Sequence, residues 1–215
     1  MKLFLDSGDI EEIKKAYGLG VIDGVTSNPK LIAANWNGNN GEFLDALDKL
    51  GRKDPVIVTL SSHERDSMIR EAQELCALHP KTVIKLYMTE QHLSLIGELK
   101  GRGIPCHVSL VYSVNQAFLA AKAGAAIISP FLGRADDFGD DGVRLLTETI
   151  DMIRGYGFDT EVMAASIRHP HHAREAIRCG APIITMPFAV LEKMYRHPAT
   201  EEGVRGFLDA AGMNT

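Results

Sequence analysis

Short apolar runs alternate with longer stretches of helical periodicity from one end of the chain to the other. The runs predict strands over 3–6, 25–28, 56–60, 83–86, 106–110, 126–129, 161–164 and 183–185. Several, such as Val56-Ile57-Val58 and Ala126-Ile127-Ile128, are apolar without alternation. Parallel strands covered by helices on their outer face have this pattern. Between them, 9–17 carries Ile10 and Ile13 at helical spacing and stops at Gly18 and Gly20, and 62–78 aligns Met68, Ile69, Ala72, Leu75 and Cys76 along one stripe. Stretches 113–123 and 142–153 read the same way, and 200–211 predicts a last helix with Val204, Phe207 and Leu208 apolar. The segment 35–41 reads as a polar loop containing Trp36, and 101–103 as a helix stop and turn.

Eight strand–helix units in 215 residues, about 27 each, are compact for a (β/α)8 barrel but inside its range of roughly 200 residues upward. No Ser/Gly/Pro-rich linker or charge block divides the chain, so the expectation is one α/β barrel domain over 1–215 with a C-terminal helix extension. A doubly wound open sheet is the alternative, and it lacks the Gly-x-Gly-x-x-Gly that a dinucleotide site needs after the first strand.

Composition narrows the class. With 45% hydrophobic and 24% charged residues the chain is not of the disordered type. Lys plus Arg is 23 and Asp plus Glu 28, a net charge of −5 that offers nucleic acid no footprint. No apolar run reaches the roughly 18 residues of a membrane span. The N-terminus meets Asp6 too early for a signal peptide, and Cys76, Cys106 and Cys179 are scattered, so a reducing cytoplasmic setting is expected.

Barrel enzymes work at the C-terminal ends of their strands. Those ends carry Asp6, Thr26-Ser27-Asn28, Thr59, Lys85, Ser109, Ser129, Ser166 and Thr185. Lys85 interrupts the apolar run Thr82-Val83-Ile84-Lys85-Leu86. It either projects into the barrel mouth or snorkels to solvent. In the mouth, desolvation favours the neutral amine, a nucleophile suited to a ketone carbonyl. Asp6 is a proton-transfer candidate if it faces Lys85, and otherwise a solvated rim carboxylate. Arg134 and Arg168 follow the sixth and seventh strands, where barrels often bind phosphate; the competing reading pairs them with acids, Asp136 and Asp137 being closest to Arg134. His169-Pro170-His171-His172 lacks a further ligand at metal spacing and reads as a loop entering a helix.

Gly24-Val25-Thr26-Ser27-Asn28-Pro29, the Lys85 strand and Ser129-Pro130-Phe131-Leu132-Gly133-Arg134 resemble the short transaldolases and the related fructose-6-phosphate aldolases. The likeness runs from Leu5-Asp6-Ser7 to Ile184-Thr185-Met186-Pro187. The resemblance implies a class I barrel enzyme of carbohydrate metabolism, in the pentose phosphate pathway, with neither metal nor organic cofactor. Its substrates would be ketose and aldose phosphates, and its assembly a homopentamer or homodecamer. It implies that Lys85 forms the Schiff base, Asp6 transfers protons and Asn28 holds a dihydroxyacetone hydroxyl. Thr26, Ser27, Ser109 and Ser129 would line the pocket, and Arg134, Ser166 and Arg168 would bind phosphate. Phe131 stands where transaldolases have Phe and the aldolases Tyr. The departures are Thr59 for the Glu or Gln that positions the water of proton transfer, a catalytic role Thr59 would then share with Ser109, Tyr87 for Pro, His92 for Gly in what reads as a turn, His107 for a polar residue, and Lys30 for a small hydroxyl. They leave three readings: a transaldolase; an aldolase cleaving fructose 6-phosphate or an atypical ketose such as a sulfonated one; and a non-catalytic sugar-phosphate-binding barrel.

Overall fold

The computed structural model of the chain describes residues 1–51 and 53–213. Eight parallel strands close into a ring in sequence order, β1 pairing with both β2 and β8. The order is β1 (Lys2–Asp6), α1 (Ile10–Gly18), β2 (Gly24–Thr26), α2 (Pro29–Trp36), α3 (Asn40–Asp48), β3 (Val56–Thr59), α4 (Arg65–Leu78), β4 (Thr82–Tyr87), α5 (Glu90–Gly101), β5 (Cys106–Val111) and α6 (Val114–Ala123). There follow β6 (Ile127–Pro130), α7 (Leu132–Asp137), α8 (Gly142–Tyr156), β7 (Glu161–Ala164), α9 (Pro170–Arg178), β8 (Ile183–Met186), α10 (Phe188–Tyr195) and α11 (Pro198–Ala210). This is the expected (β/α)8 barrel. Among the described residues no helix is long and apolar enough to cross a membrane.

Strand periodicity builds two cores. Alternate residues face outward and meet the helices, among them Leu5, Val56, Val58, Ile84 and Leu86. The inward residues Phe4, Ile57, Val83, Ile127, Met163 and Ile183 form a separate apolar plug inside the ring. Gly24 is part of that fit, because a Cβ there would lie 2.6 Å from the Phe4 ring. Two residues beyond the plug, on the same inward face, come Asp6, Thr59 and Lys85. The register aligns Thr59 with Lys85 and Lys85 with His107.

Three local expectations change. The segment 35–41 is mostly helix: Asn35 and Trp36 end α2, and Asn40 and Gly41 open α3. The turn itself is Asn37 and Gly38, with φ 49° and 85°, plus the cap Asn39. Trp36 donates its indole N–H to the Gly8 carbonyl at 2.7 Å and packs on Phe43, so it ties α2 to the first loop. β2 ends at Thr26 because Asn28 turns away to cap α2. His92 lies in the first turn of α5, which Thr89 caps, rather than in a turn. α11 forms as predicted, within two residues, but none of its residues is buried.

Candidate active site

Lys85 enters the barrel because it stands two residues after the plug residue Val83 on β4. It is 8% exposed, and its ammonium donates to the Ser27 backbone carbonyl across the mouth. Burial pushes the Lys85 pKa below the usual lysine range, and the nearby Asp6 carboxylate opposes that shift. Desolvation thus works toward the neutral amine, which is the nucleophilic form. Asp6, on β1, accepts a 2.8 Å hydrogen bond from the Thr26 hydroxyl, which also lies 2.7 Å from the Thr185 hydroxyl. That chain orients the carboxylate.

A cavity of about 400 Å³ opens over this group. It is lined by Asp6, Thr26, Asn28, Lys85, Ser109, Ser129, Phe131, Arg134 and Ser166 among others. Asn28 caps α2 by accepting from the backbone N–H groups of Lys30 and Leu31 at 3.1 and 3.2 Å. Its Oδ1 is thereby committed, and its Nδ2 is the atom left to donate to a ligand.

The anion side is built by two loops that lock together. Gly133 donates its N–H to the Ser166 carbonyl at 3.1 Å, and a Cβ on Gly133 would come within 2.5 Å of that oxygen. Ser166 itself holds φ 58°, in the left-handed region. Arg134 lines the cavity with its guanidinium 5.3 Å from the Phe131 ring centroid. Arg168 is engaged elsewhere: both its terminal nitrogens bond the Asp137 carboxylate, and it does not line the cavity. The pair holds Asp137 below the usual carboxylate range and Arg168 above the usual guanidinium value. Asp136 turns to His172, 2.9 Å away. The acids beside Arg134 in sequence therefore serve partners on the seventh loop, and Arg134 makes no ion pair with a described residue.

Two other candidates also lie outside the main cavity. Ser27 is fully buried; its hydroxyl donates to the Ile57 carbonyl, and its own carbonyl receives Lys85. Thr59 lines an adjoining cavity of about 270 Å³ together with Tyr87 and His92. Burial raises the Tyr87 phenol, and the neighbouring Thr59 hydroxyl works against that rise, although Thr59 Oγ1 makes no hydrogen bond of full geometry.

Three lining residues were visible in the sequence only as departures from the resemblance: Lys30, Tyr87 and His107. His107 Nε2 lies 2.6 Å from the Ser129 hydroxyl, and its buried Nδ1 has no partner. Burial first, and the Lys85 charge second, hold its pKa well below the usual histidine value, so the ring is neutral. In the 169–172 segment, His169 caps α9 and His172 Nδ1 accepts from the Arg168 N–H.

A closed parallel barrel that gathers a buried amine, a carboxylate and a guanidinium without an ion pair among the described residues at the C-terminal ends of its strands has the architecture of a (β/α)8-barrel enzyme. Residues 3–214 match the Transaldolase/Fructose-6-phosphate aldolase family, and the chain belongs to that family. A probable transaldolase from Kosmotoga olearia is 44% identical over 211 residues, covering 97% of this chain and 95% of the relative. One from Desulforudis audaxviator is 46% identical over 211 residues, covering 97% and 96%. One from Carboxydothermus hydrogenoformans is 44% identical over 208 residues, with the same coverage of 97% and 96%. The chain is a transferase of transaldolase type, and that reading stands over the aldolase alternative.

Proposed function

We propose that the chain moves a dihydroxyacetone unit between sugar phosphates through a Schiff base on Lys85. The observation that carries this reading is the Lys85 amine: buried, biased toward its neutral form, and bordering a cavity that also contains Asp6 and Arg134. The amine attacks the ketose carbonyl, and water leaves to give an iminium. Asp6 takes the C4 hydroxyl proton as the C3–C4 bond breaks, and an aldose phosphate departs. The electron pair left on C3 is held as a neutral enamine, so the iminium stabilises charge that appears only as the bond breaks. The enamine then attacks a second aldose phosphate, and hydrolysis frees Lys85.

In this reading Asn28 donates to a substrate hydroxyl, and Thr26, Ser109 and Ser129 line the pocket. Arg134 and Ser166 receive the phosphate. Arg168 acts indirectly: by occupying both oxygens of Asp137 it keeps that carboxylate from neutralising Arg134. Thr59 is too short to stand in for a carboxylate at the reacting atoms and contributes through the Tyr87 side of the amine.

The assembly and setting belong to the same proposal. Val204, Phe207 and Leu208 on α11 are 50%, 79% and 40% exposed, which supports a homopentamer or homodecamer in which α11 packs on a neighbour. The setting is cytoplasmic, in sugar-phosphate metabolism of the pentose phosphate type. The test supplies fructose 6-phosphate with and without erythrose 4-phosphate. Glyceraldehyde 3-phosphate should accumulate only when both are present; release from fructose 6-phosphate alone at the same rate would establish an aldolase instead.

A further inference from the structure

The steps of Schiff-base formation leave one proton without a donor. After the Lys85 amine has added to the ketone, the former carbonyl oxygen leaves as water only if some group hands it a proton. Asp6 is committed elsewhere, because it must be a carboxylate to take the C4 hydroxyl proton. The other ionisable residues bordering the main cavity are Lys30, Tyr87, His107 and Arg134. Arg134 keeps its proton throughout. Lys30 is exposed on α2 and borders the main cavity alone. His107 is a buried neutral ring with Nε2 against Ser129, and a neutral imidazole is far too weak an acid to protonate a leaving hydroxyl.

Tyr87 is the group that the fold sets over the amine. Val83, Lys85 and Tyr87 share the inward face of β4, so the phenol ring belongs to the layer one pleat above the amine. Lys85 and Tyr87 both border the main cavity and the 270 Å³ cavity beside it. Helix α5 holds the ring in place. His92 Nδ1 accepts the Tyr87 backbone N–H at 3.1 Å, and the two rings lie 5.5 Å apart at 51°. The phenol's polar neighbour is Thr59, whose buried hydroxyl makes no full hydrogen bond and is available to orient it. Burial raises the phenol above its ordinary value, so it holds its proton in the resting enzyme. When an iminium forms, the new positive charge nearby favours the phenolate and draws the proton off. The smaller cavity, with the Ser61 and Ser62 hydroxyls in its wall, has room for the departing water.

We propose that Tyr87 is the catalytic acid that expels water at Lys85, and that its phenolate is the base when the iminium is hydrolysed. The proposal rests on the Schiff-base reading of Lys85. The amine and ketone first join as a neutral carbinolamine, an N–H proton passing to oxygen. The C–O bond then breaks with its electron pair on oxygen, and the Tyr87 proton joins that oxygen, so one water leaves. The nitrogen lone pair becomes the second C–N bond, which gives an iminium cation beside a phenolate with no change in net charge. At the end of the cycle a water adds to the iminium carbon and gives one proton to the phenolate. The C–N bond then breaks as the hydroxyl proton returns to nitrogen, restoring both phenol and amine.

The experiment mixes full-length enzyme with fructose 6-phosphate, quenches into borohydride at successive times, and reads the total ketose adduct on Lys85 by mass. Tyr87→Phe keeps the ring against His92 and removes only the acid. It should slow the approach to the adduct plateau by about 10²-fold, the scale of one general acid. The plateau itself should stay within about threefold of wild type, since a proton donor sets a rate, and an unchanged plateau also certifies the fold of the variant. An approach as fast as in wild type overturns the proposal. So does a collapse of the plateau, which would make the phenol a structural group. Absence of adduct in the wild type would instead overturn the Schiff-base reading itself.

Discussion

The floor and the rim of the barrel interior are made by the same strands and face the same way, yet they do opposite work. On β3 the step is from Ile57 to Thr59, on β4 from Val83 to Lys85, and on β1 from Phe4 to Asp6. One period of the pleat, roughly 6.6 Å, separates a dry plug from a reactive group. The plug closes the barrel below, so that Lys85 opens only upward and is desolvated without being sealed. The lesson is that the amine's reactivity is made by the apolar layer beneath it as much as by its neighbours at the rim.

The largest effect that separates the two layers is Lys85→Met. It should lower turnover by at least about 10⁴-fold, as loss of a covalent nucleophile does, with the barrel intact by circular dichroism. Next comes Arg134→Ala, expected to remove about 2–5 kcal/mol of preference for phosphorylated over unphosphorylated donor, read as a ratio of kcat/KM values. An equal effect on both donors would refute the anion site. Arg168→Ala should lower the same ratio by less, because it acts only by releasing Asp137. On the floor, Ile57→Ala should cost about 2–5 kcal/mol of stability by denaturant titration. Its turnover per folded molecule should stay within about threefold of wild type, the reverse of the rim pattern.

The smallest effect concerns pH. Because folding lowers the Lys85 pKa, the native state binds fewer protons than the unfolded chain between the native pKa and about 10.4, and Lys85 lends stability as pH rises through that window. The melting-temperature advantage of Lys85→Met over wild type should therefore be greatest at low pH and shrink as pH rises toward the free-lysine value. A constant difference would mean that Lys85 is not desolvated.

Strand identity was legible in the sequence because an apolar run is local, and the lysine that interrupts 82–86 stood out. Its direction was not: the mouth and the solvent were both open to it until the ring of inward residues beneath it fixed the parity of β4. The pairing of the rim charges was not legible. Asp136 and Asp137 adjoin Arg134 along the chain, but short-helix geometry in α7 sends them to His172 and Arg168, more than thirty residues away. Thr59 shows the same limit. Its strand position was clear from the pattern, whereas its placement in a separate cavity depends on α2, α3 and α5 packing over β3. The 35–41 stretch hid two helix ends because Asn and Gly suit a cap and a left-handed turn as well as a loop.

The most direct test is borohydride reduction in the presence of fructose 6-phosphate, followed by peptide mapping. A single dihydroxyacetone or hexose phosphate adduct on the peptide bearing Lys85, absent from Lys85→Met, is the predicted result. An adduct on another lysine, or turnover without any adduct, would contradict it.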